Sequence, residues 1–577
     1  LPKALRVDLL FDFRDTRVFE GALNYPAILI AERNSKTKEG ELLGARVFTS
    51  EAEFRDLVTE FTALRKEIKS APVARSSSME AFPFPRTRLA GKGWWLMPPD
   101  EYTLFDKLSK TPGSQLISLS ASQSGAFQGY ATGADSILAF DEIEDLGDHL
   151  KLRVRHEDDG CEKKPIEIEK GALRPFLFGK DVGRWAIDWK RTWVMFPYDR
   201  YLRKRTLNGD EIEEWNLIPC KANIDKFEFA DPDSIEPIEQ RFPKAWKYLC
   251  KHEGELRKRE DGRYEDNKPD GHVWYGGARA QNLDYYFRPK LVLQLLSRRN
   301  SFTFDKEGKF VFQAGGKGGG VYGFAPGEQV ADLGALLAFL NSQVADFLIK
   351  QTSSVYGGRF YSYADQFLRD LPVAERILDT KHGAGRRLSQ ISESLTSVAS
   401  RRNQLRDKLD LFPTSFKHEL ARYELDPIAK LARENPQSAQ ISIELGSVAV
   451  GKTLYGFEVR YDSQRPFEFE HREHAECLAQ ALRARGRRTF PLKEVLSWRL
   501  PVKPEGCKKL LELQKQTRRE LTQLRGGIAS SEEELNDLVY SLYGVTADER
   551  QVIEGFLERY SSRSAAEMSE NEASPEE

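Results

Sequence analysis

Two apolar stripes, far apart in the chain, constrain the fold more than anything else in the sequence. Leu388, Ile391, Leu395, Val398, Leu405 and Leu409 recur at heptad spacing, interrupted once by Arg402, and Leu510, Leu513, Thr517, Leu521 and Leu524 form a second series. A helix with one such stripe must bury it against a partner. The spacing therefore predicts two long helices, carrying Leu388 to Leu409 and Leu510 to Leu524, paired as an antiparallel hairpin within a helical domain at 376–411 and 503–560. Residues 412–502 between them read as an α+β insertion, with strands around 440–450 and 454–461. Ser531-Glu532-Glu533-Glu534 has the form of a capping box opening a fresh helix, and Thr546-Ala547-Asp548-Glu549 opens another in the same way. The acidic, serine-rich residues 561–577 read as a disordered tail.

Before residue 375 the pattern is strand-rich. With 577 residues the chain is long enough for several domains. The fold expected is α+β: a mixed-sheet domain at 101–375, then the helical hairpin with its insertion and a C-terminal helical segment. Residues 5–33 contain two strands, VDLLFDF and the continuous apolar AILIA. Two buried strands do not make a domain, so residues 1–35 are expected to complete a larger sheet, with the chain being a fragment or a processed piece. Residues 36–100 read as a connector holding a low-order Ser-, Pro- and Arg-rich stretch at 70–88. Residues 333–349 read as one strongly apolar helix.

Composition narrows the classes. Lys+Arg number 87 and Asp+Glu 89, so any nucleic-acid contact must come from local patches rather than from net charge. No apolar run reaches the length of a membrane span, and no signal-peptide pattern opens the chain. Five scattered cysteines without CxxC spacing point to reduced cytoplasmic thiols and no structural zinc. His471 and His474 precede Cys477, a spacing that fits a solvated helix start better than a metal site.

The densest cluster of contact-capable residues is LISLSASQSGAFQGYATGADSILAF at 116–140. Apolar residues alternate with serines, a polar turn follows, a second turn carries Thr132 and Gly133, and a strand resumes. Glycines at 125, 129 and 133 permit positive φ and close backbone approach. Gln123, Ser124, Gln128 and Thr132 both donate and accept hydrogen bonds, which suits base edges and phosphates; a plain hairpin with good turn residues has the same pattern. Lys317, in the glycine-rich QAGGKGGG, fits a flexible tip or a phosphate contact. Tyr356 and Arg359, in VYGGRFYSY, fit a core edge or a nucleic-acid groove.

Several segments, taken in order, resemble the C-terminal part of TaqI-like adenine-N6 DNA methyltransferases, often found in single-chain restriction–modification proteins. QSGAFQGYATGADSILAF resembles the strand-loop-strand that opens the target-recognition domain. LRPFLFGKDVGRW with TWVMFPYD resembles its G-(R/K)-D-(I/V) element and following strand. FPKAWKYLCKHEGELRKRE is similar to the next basic helix, and RPKLVLQLLSRRNSFTFDKEGKFVF to the central strand pair. LLAFLNSQVADFLI with the later DLPV resembles the LNS…LP helix and return strand. ELNDLVYSLYGVTADERQVIEGFL resembles the closing helical hairpin, and DFRDTRVFEGALNYPAILIAE the last strands of the catalytic domain. The chain departs from the family in having no Asn/Asp-Pro-Pro-Tyr/Phe motif and no glycine-rich cofactor turn. Pro98-Pro99 follows Met97 and precedes Asp100, which does not serve. No nuclease constellation is present either.

The resemblance implies a sequence-specific DNA-recognition region of a bacterial, cytoplasmic adenine-N6 methyltransferase, in restriction–modification or related phage defence. No catalytic and no cofactor-binding residue is expected in this chain, while the intact enzyme would use S-adenosylmethionine. Its partners would be double-stranded DNA and a methyltransferase catalytic domain, in the same polypeptide or separate, with no membrane. For DNA contact the candidates are Gln123, Ser124, Gln128 and Thr132, then Lys180, Arg184 and Lys317 near phosphates, and Tyr356 and Arg359 on a groove-facing loop. Asp181 is expected to hold its turn by accepting backbone hydrogen bonds. The alternatives are a non-catalytic specificity or scaffold subunit joined to a separate methyltransferase through the helical hairpin, and an interaction protein without DNA binding.

Overall fold

The computed structural model describes residues 5–14, 16, 27–33, 40–48, 54–90, 94–111, 114–116, 126–155, 164–207, 210–219, 238–259, 273–279, 283–315, 320–325, 332–356, 360–368, 371–379, 381–437, 440–443, 448–461, 466–484 and 488–561. Helices and mixed sheets make it an α+β protein. The chain divides into two compact units, one of Leu1–Glu393 with Glu534–Ser562, the other of Ser394–Glu533 with Arg563–Glu577.

The first unit opens with a five-stranded sheet built from β1 (Leu5–Asp12), β2 (Ala27–Arg33), β3 (Glu41–Val47), β4 (Ala74–Arg75) and β5 (Met79–Pro85), in the order β2-β1-β3-β5-β4. β1 and β3 run parallel, the other pairs antiparallel. Alternation assigns its faces. Ala45, Val47, Met79 and Ala81 pack under helix α1 (Phe54–Glu67) through Leu57 and Leu64, whereas Leu42, Phe82 and Phe84 build a second layer with Val7 and Leu10. This corrects two expectations. The stretch at 70–88 is not low-order, because it contains β4 and the buried strand β5. Nor is 27–31 a buried strand: β2 is an edge strand with Leu29 38% and Ile30 54% exposed. The strands at 1–35 and the connector at 36–100 form one sheet.

On the second face of that sheet sits a fully buried ionic cluster. Arg46, on β3, bonds Glu80 of β5 at 2.5 Å and Glu101 of helix α2 (Pro99–Ser109) at 2.6 Å, and all three side chains have no exposure. Arg75 adds a 3.0 Å bond to Glu80, and Arg559 a 2.9 Å bond to Glu101. Gln351 and Tyr560 donate to the same two carboxylates at 2.7 and 3.1 Å, and Arg14 lies 4.6 Å over the Tyr560 ring.

The middle of this unit is two sheets sharing a core. One has six strands, ordered Ile166–Glu169, His149–Val154, Ala139–Asp145, Thr192–Met195, Leu173–Leu177 and Val311–Phe312. The other has four, ordered Phe302–Asp305, Lys290–Gln294, Val321–Phe324 and Ala126–Gln128. Phe127, Phe176, Leu177, Val194, Val292, Phe312 and Val321 from both sheets form a single apolar cluster. Helix Pro243–Lys251 covers the six-stranded sheet, its first N–H groups received by the Glu169 carboxylate at 2.7 and 2.9 Å. The apolar run at 333–349 is two helices, Leu333–Leu340 and Gln343–Thr352, bent by 62°. The break falls where Ser342 caps the second helix by accepting from Ala345 N–H at 3.2 Å. No single described helix is long and apolar enough to cross a membrane.

In the second unit the insertion forms a four-stranded sheet, ordered Ala432–Glu434, Phe467–Phe469, Phe457–Arg460 and Ala449–Lys452, with helix Arg472–Ala484 against it. His471 is exposed at the start of that helix, but His474 and Cys477 are buried. The Cys477 thiol lies 3.5 Å from the Cys507 carbonyl. Of the long helices Gly383–Asp410 and Pro504–Leu542, residues 394–410 and 504–533 belong to this unit, with Leu395 and Leu405 buried on one and Leu510, Thr517 and Leu521 on the other. Arg401 bonds Glu520 across them at 2.8 Å. Ser531 does not open a new helix, since Pro504–Leu542 runs through it. The box at Thr546 does form: its N–H reaches Glu549 at 2.8 Å and Glu549 N–H returns to its hydroxyl at 3.3 Å, ahead of helix Ala547–Ser561.

Burial pushes the Glu80 carboxyl up, but Arg46, Arg559 and Arg75 outweigh that and hold it at about 2. A carboxyl with a depressed folded-state pKa contributes stability that is complete above its unfolded pKa and lost as pH falls through the folded one. An acid titration of the unfolding free energy should therefore drop between pH about 4.5 and about 2, and Glu80→Gln should remove that part of the drop. Arg46→Ala, which strands two buried carboxylates, should cost about 3–5 kcal/mol in chemical denaturation.

Candidate nucleic-acid interface

Gln128, Lys180 and Tyr356 are linked by backbone pairings and one side-chain hydrogen bond around the end of strand Lys290–Gln294. Gln128 is exposed and pairs with Tyr322, which pairs with Leu293. Gln294 donates its side-chain amide to the Gly179 carbonyl at 2.7 Å and so fixes the turn that presents the exposed Lys180. Leu295 N–H reaches the Gly320 carbonyl at 2.8 Å. Leu296–Ser297 then pairs with Phe360–Ser362, and that strand with Val355–Tyr356, where Tyr356 is 41% exposed. Gln123, Ser124, Lys317 and Arg359 lie outside the described residues. The sequence offered one signal for Gln294, a lone amide ending an apolar strand, and it went unselected.

Two of the chosen residues are engaged inside the protein. Thr132 is 2% exposed. Its hydroxyl bonds Asp135 and accepts from Ala134 N–H at 3.1 Å, and its carbonyl receives Arg259. Asp135 in turn accepts from Gln313 at 2.8 Å. The turn needs its glycines for internal reasons: Gly133 has φ +67°, and a Cβ on Gly129 would lie 2.3 Å from the Gln313 carbonyl oxygen. The close approach that this stretch permits is made by the chain's own strand.

Arg184 is the second. Its guanidinium bonds the Asn300 carbonyl and side-chain oxygen at 2.9 and 2.8 Å, and the Asn341 side-chain and backbone oxygens at 3.2 and 2.5 Å. Asn300 and Asn341 are buried and bridge onward, Asn300 to Leu340 and Ser342 carbonyls, Asn341 to both backbone groups of Phe302. Arg184 thus locks the helix break at 341–342 to the four-stranded sheet, in place of the phosphate contact expected of it. Asp181 holds its own turn, accepting Phe178 N–H at 2.8 Å while 1% exposed. Burial raises its pKa to about 6, against the Phe178 bond and the nearby Arg155 and Lys180 charges. Among the described residues no group of His, Cys, Asp and Glu is arranged to hold a metal.

No family model and no curated protein matches the chain. Among solved structures, it is similar to the type-I restriction-modification S subunit from M. genitalium, at 13% identity and a TM-score of 0.21, over 44% of this chain and 83% of that one. At that level of superposition the likeness decides neither fold nor function.

Arg184→Ala leaves buried carbonyls without their donor and should cost about 2–3 kcal/mol in denaturant unfolding. For Asp181 the sign is opposite to that of Glu80. Its folded pKa is raised, so the folded state keeps a proton that the unfolded state loses, and stability falls as pH rises from about 4 to about 6. Wild type should lose about 3 kcal/mol relative to Asp181→Asn across that window, as read from paired urea titrations at pH 4 and pH 7.

Proposed function

We propose that this chain is a DNA target-recognition region, and that it serves an adenine-N6 methyltransferase of a restriction–modification or phage-defence system. The observation that carries the DNA reading is that the exposed Gln128, Lys180 and Tyr356 are linked by hydrogen bonds through the end of strand Lys290–Gln294 and the residues that follow it. Polar residues displayed by a rigid scaffold are what sequence readers use to meet bases and phosphates. The methyl-transfer assignment rests on the ordered motif resemblance, and with it the partners: a catalytic domain that binds S-adenosylmethionine and holds the flipped adenine. This chain's part is to select the site.

A second reading, a specificity or scaffold subunit acting with a separate methyltransferase, is favoured by the long helices Gly383–Asp410 and Pro504–Leu542. Both readings require the chain to bind DNA, and they differ in where the catalytic domain is encoded.

The test is selection of bound fragments from a randomised duplex library at two salt concentrations. Enrichment of one short adenine-containing motif, with affinity falling steeply in salt, is expected; absence of binding at low salt removes the proposal. Lys180→Ala should weaken all sequences alike and lower the log–log salt slope by about 0.9, the release of one phosphate contact. Arg359→Ala should instead cost about 1–3 kcal/mol on the selected motif and relax one position. Equal losses on selected and scrambled duplexes would take Arg359 out of base readout.

A further inference from the structure

A second feature of the first unit is independent of those residues. Lys170, Arg174, Trp193, Tyr286, Phe287 and Lys309 line a pocket of about 250 Å³. Its volume is below the ~300–1,000 Å³ of sites that engulf a whole drug-sized ligand, so it admits one group of a larger molecule or a small one.

Its charge is unusual for a half-buried wall. Arg174 projects from strand Leu173–Leu177 with its guanidinium 4.8 Å over the Phe287 ring. Burial lowers its pKa, and no acid among the described residues opposes that. The buried Arg46 of this unit, by contrast, is matched by two glutamates. Lys309 is exposed beside the pocket, 5.0 Å from the Trp189 ring and 5.5 Å from that of Phe310. The third cation, Lys170, is 2.7 Å from Asp145. Asp305, near Lys309, is already neutralised by Lys290 and by two backbone N–H groups. The three cations thus outnumber the carboxylates that reach them. Gly308 presses its turn against Phe287: at φ +61° a Cβ would lie 2.5 Å from the Phe287 carbonyl group. The aromatic wall is therefore held in place.

An uncompensated, desolvated arginine costs stability. A planar fork stacked on an aromatic ring suits phosphate oxygens on one side and a flat ring beside them. We propose that this pocket binds the phosphate of a nucleotide, with Arg174 as its main anion partner, Lys309 assisting and the aromatic wall receiving the adjoining ring or sugar. The nucleotide belongs either to a DNA strand, which deepens the DNA reading above, or to a free mononucleotide, which stands apart from it.

The experiment uses the full chain and two probes: adenosine monophosphate titrated calorimetrically, and a labelled duplex titrated at several salt concentrations. Arg174→Gln is expected to fold, with a thermal midpoint equal to or above wild type, because it removes an unmatched charge. If the source is free nucleotide, wild type binds the monophosphate saturably, the variant binds it about tenfold or more weakly, and duplex affinity is unchanged. If the source is DNA, the duplex salt slope falls by about 0.9 in the variant and monophosphate binding is weak in both proteins. Arg174→Lys should recover part of either loss. Should Arg174→Gln not fold, Lys309→Gln replaces it, with the same direction of change. Equal behaviour of wild type and variants with both probes overturns the pocket. A library selection that succeeds while Arg174→Gln is indifferent sinks the pocket alone; monophosphate binding lost in the variant upholds the pocket even where no motif is enriched.

Discussion

Burying Arg46 is the constraint around which the first unit is organised. A guanidinium removed from water is tolerated only when matched charges and further hydrogen bonds surround it, and here Glu80 and Glu101 supply the match. Those carboxylates need Arg75, Arg559, Gln351 and Tyr560 to complete their own shells. The partners come from β4, β5, helix α2, the helix Gln343–Thr352 and the helix Ala547–Ser561, so a single ionic centre specifies how elements far apart in sequence meet the first sheet. Apolar contacts alone would hold these helices with less directional selectivity, since they tolerate sliding while a network of fixed donors and acceptors does not.

The same economy recurs at the helix break. Asn300 and Arg184 donate to the Leu340 and Asn341 carbonyls, which a continuous helix would have bonded internally, and so let an apolar run turn through 62° inside the protein. Polar residues in this region thus fall into two populations. Thr132, Asp181 and Arg184 are consumed by the scaffold, whereas Gln128, Lys180 and Tyr356 stay at the surface. Adjacent polar residues serve opposite ends: Lys180 stays exposed while Asp181 is buried.

That mixture explains what could be read from the sequence. Features set by local chemistry were legible: the heptad stripes, the box at Thr546, the Asp181 turn, and the insertion strands near 440 and 457. Features set by tertiary pairing were not. Met79–Pro85, with two prolines and no helical or strand-like regularity, is a buried strand because β3 pairs along its length. Ile28-Leu29-Ile30 has the composition of a core strand but falls at a sheet edge, a position that depends on strand order. Ser531 has the right residues for a helix start, but the preceding helix was already propagating and needed no cap there. At the candidate site, side-chain type pointed to polar contact but could not tell which hydroxyl or guanidinium was already bonded within the protein.

Sequence separation in the ionic centre has a consequence in time. The centre joins β3 to Arg559 and Tyr560, so during synthesis its last ligands emerge after more than five hundred residues have left the ribosome. Residues 394–533, by contrast, carry their core within one continuous stretch. Closing a long loop is slow relative to closing a short one. Residues 394–533 can therefore be complete while β3 still waits for Arg559 and Tyr560. Until those two residues arrive, Glu101 lacks its Arg559 partner and Glu80 its Tyr560 partner, so the ionic centre is completed only by residues more than four hundred and fifty positions away.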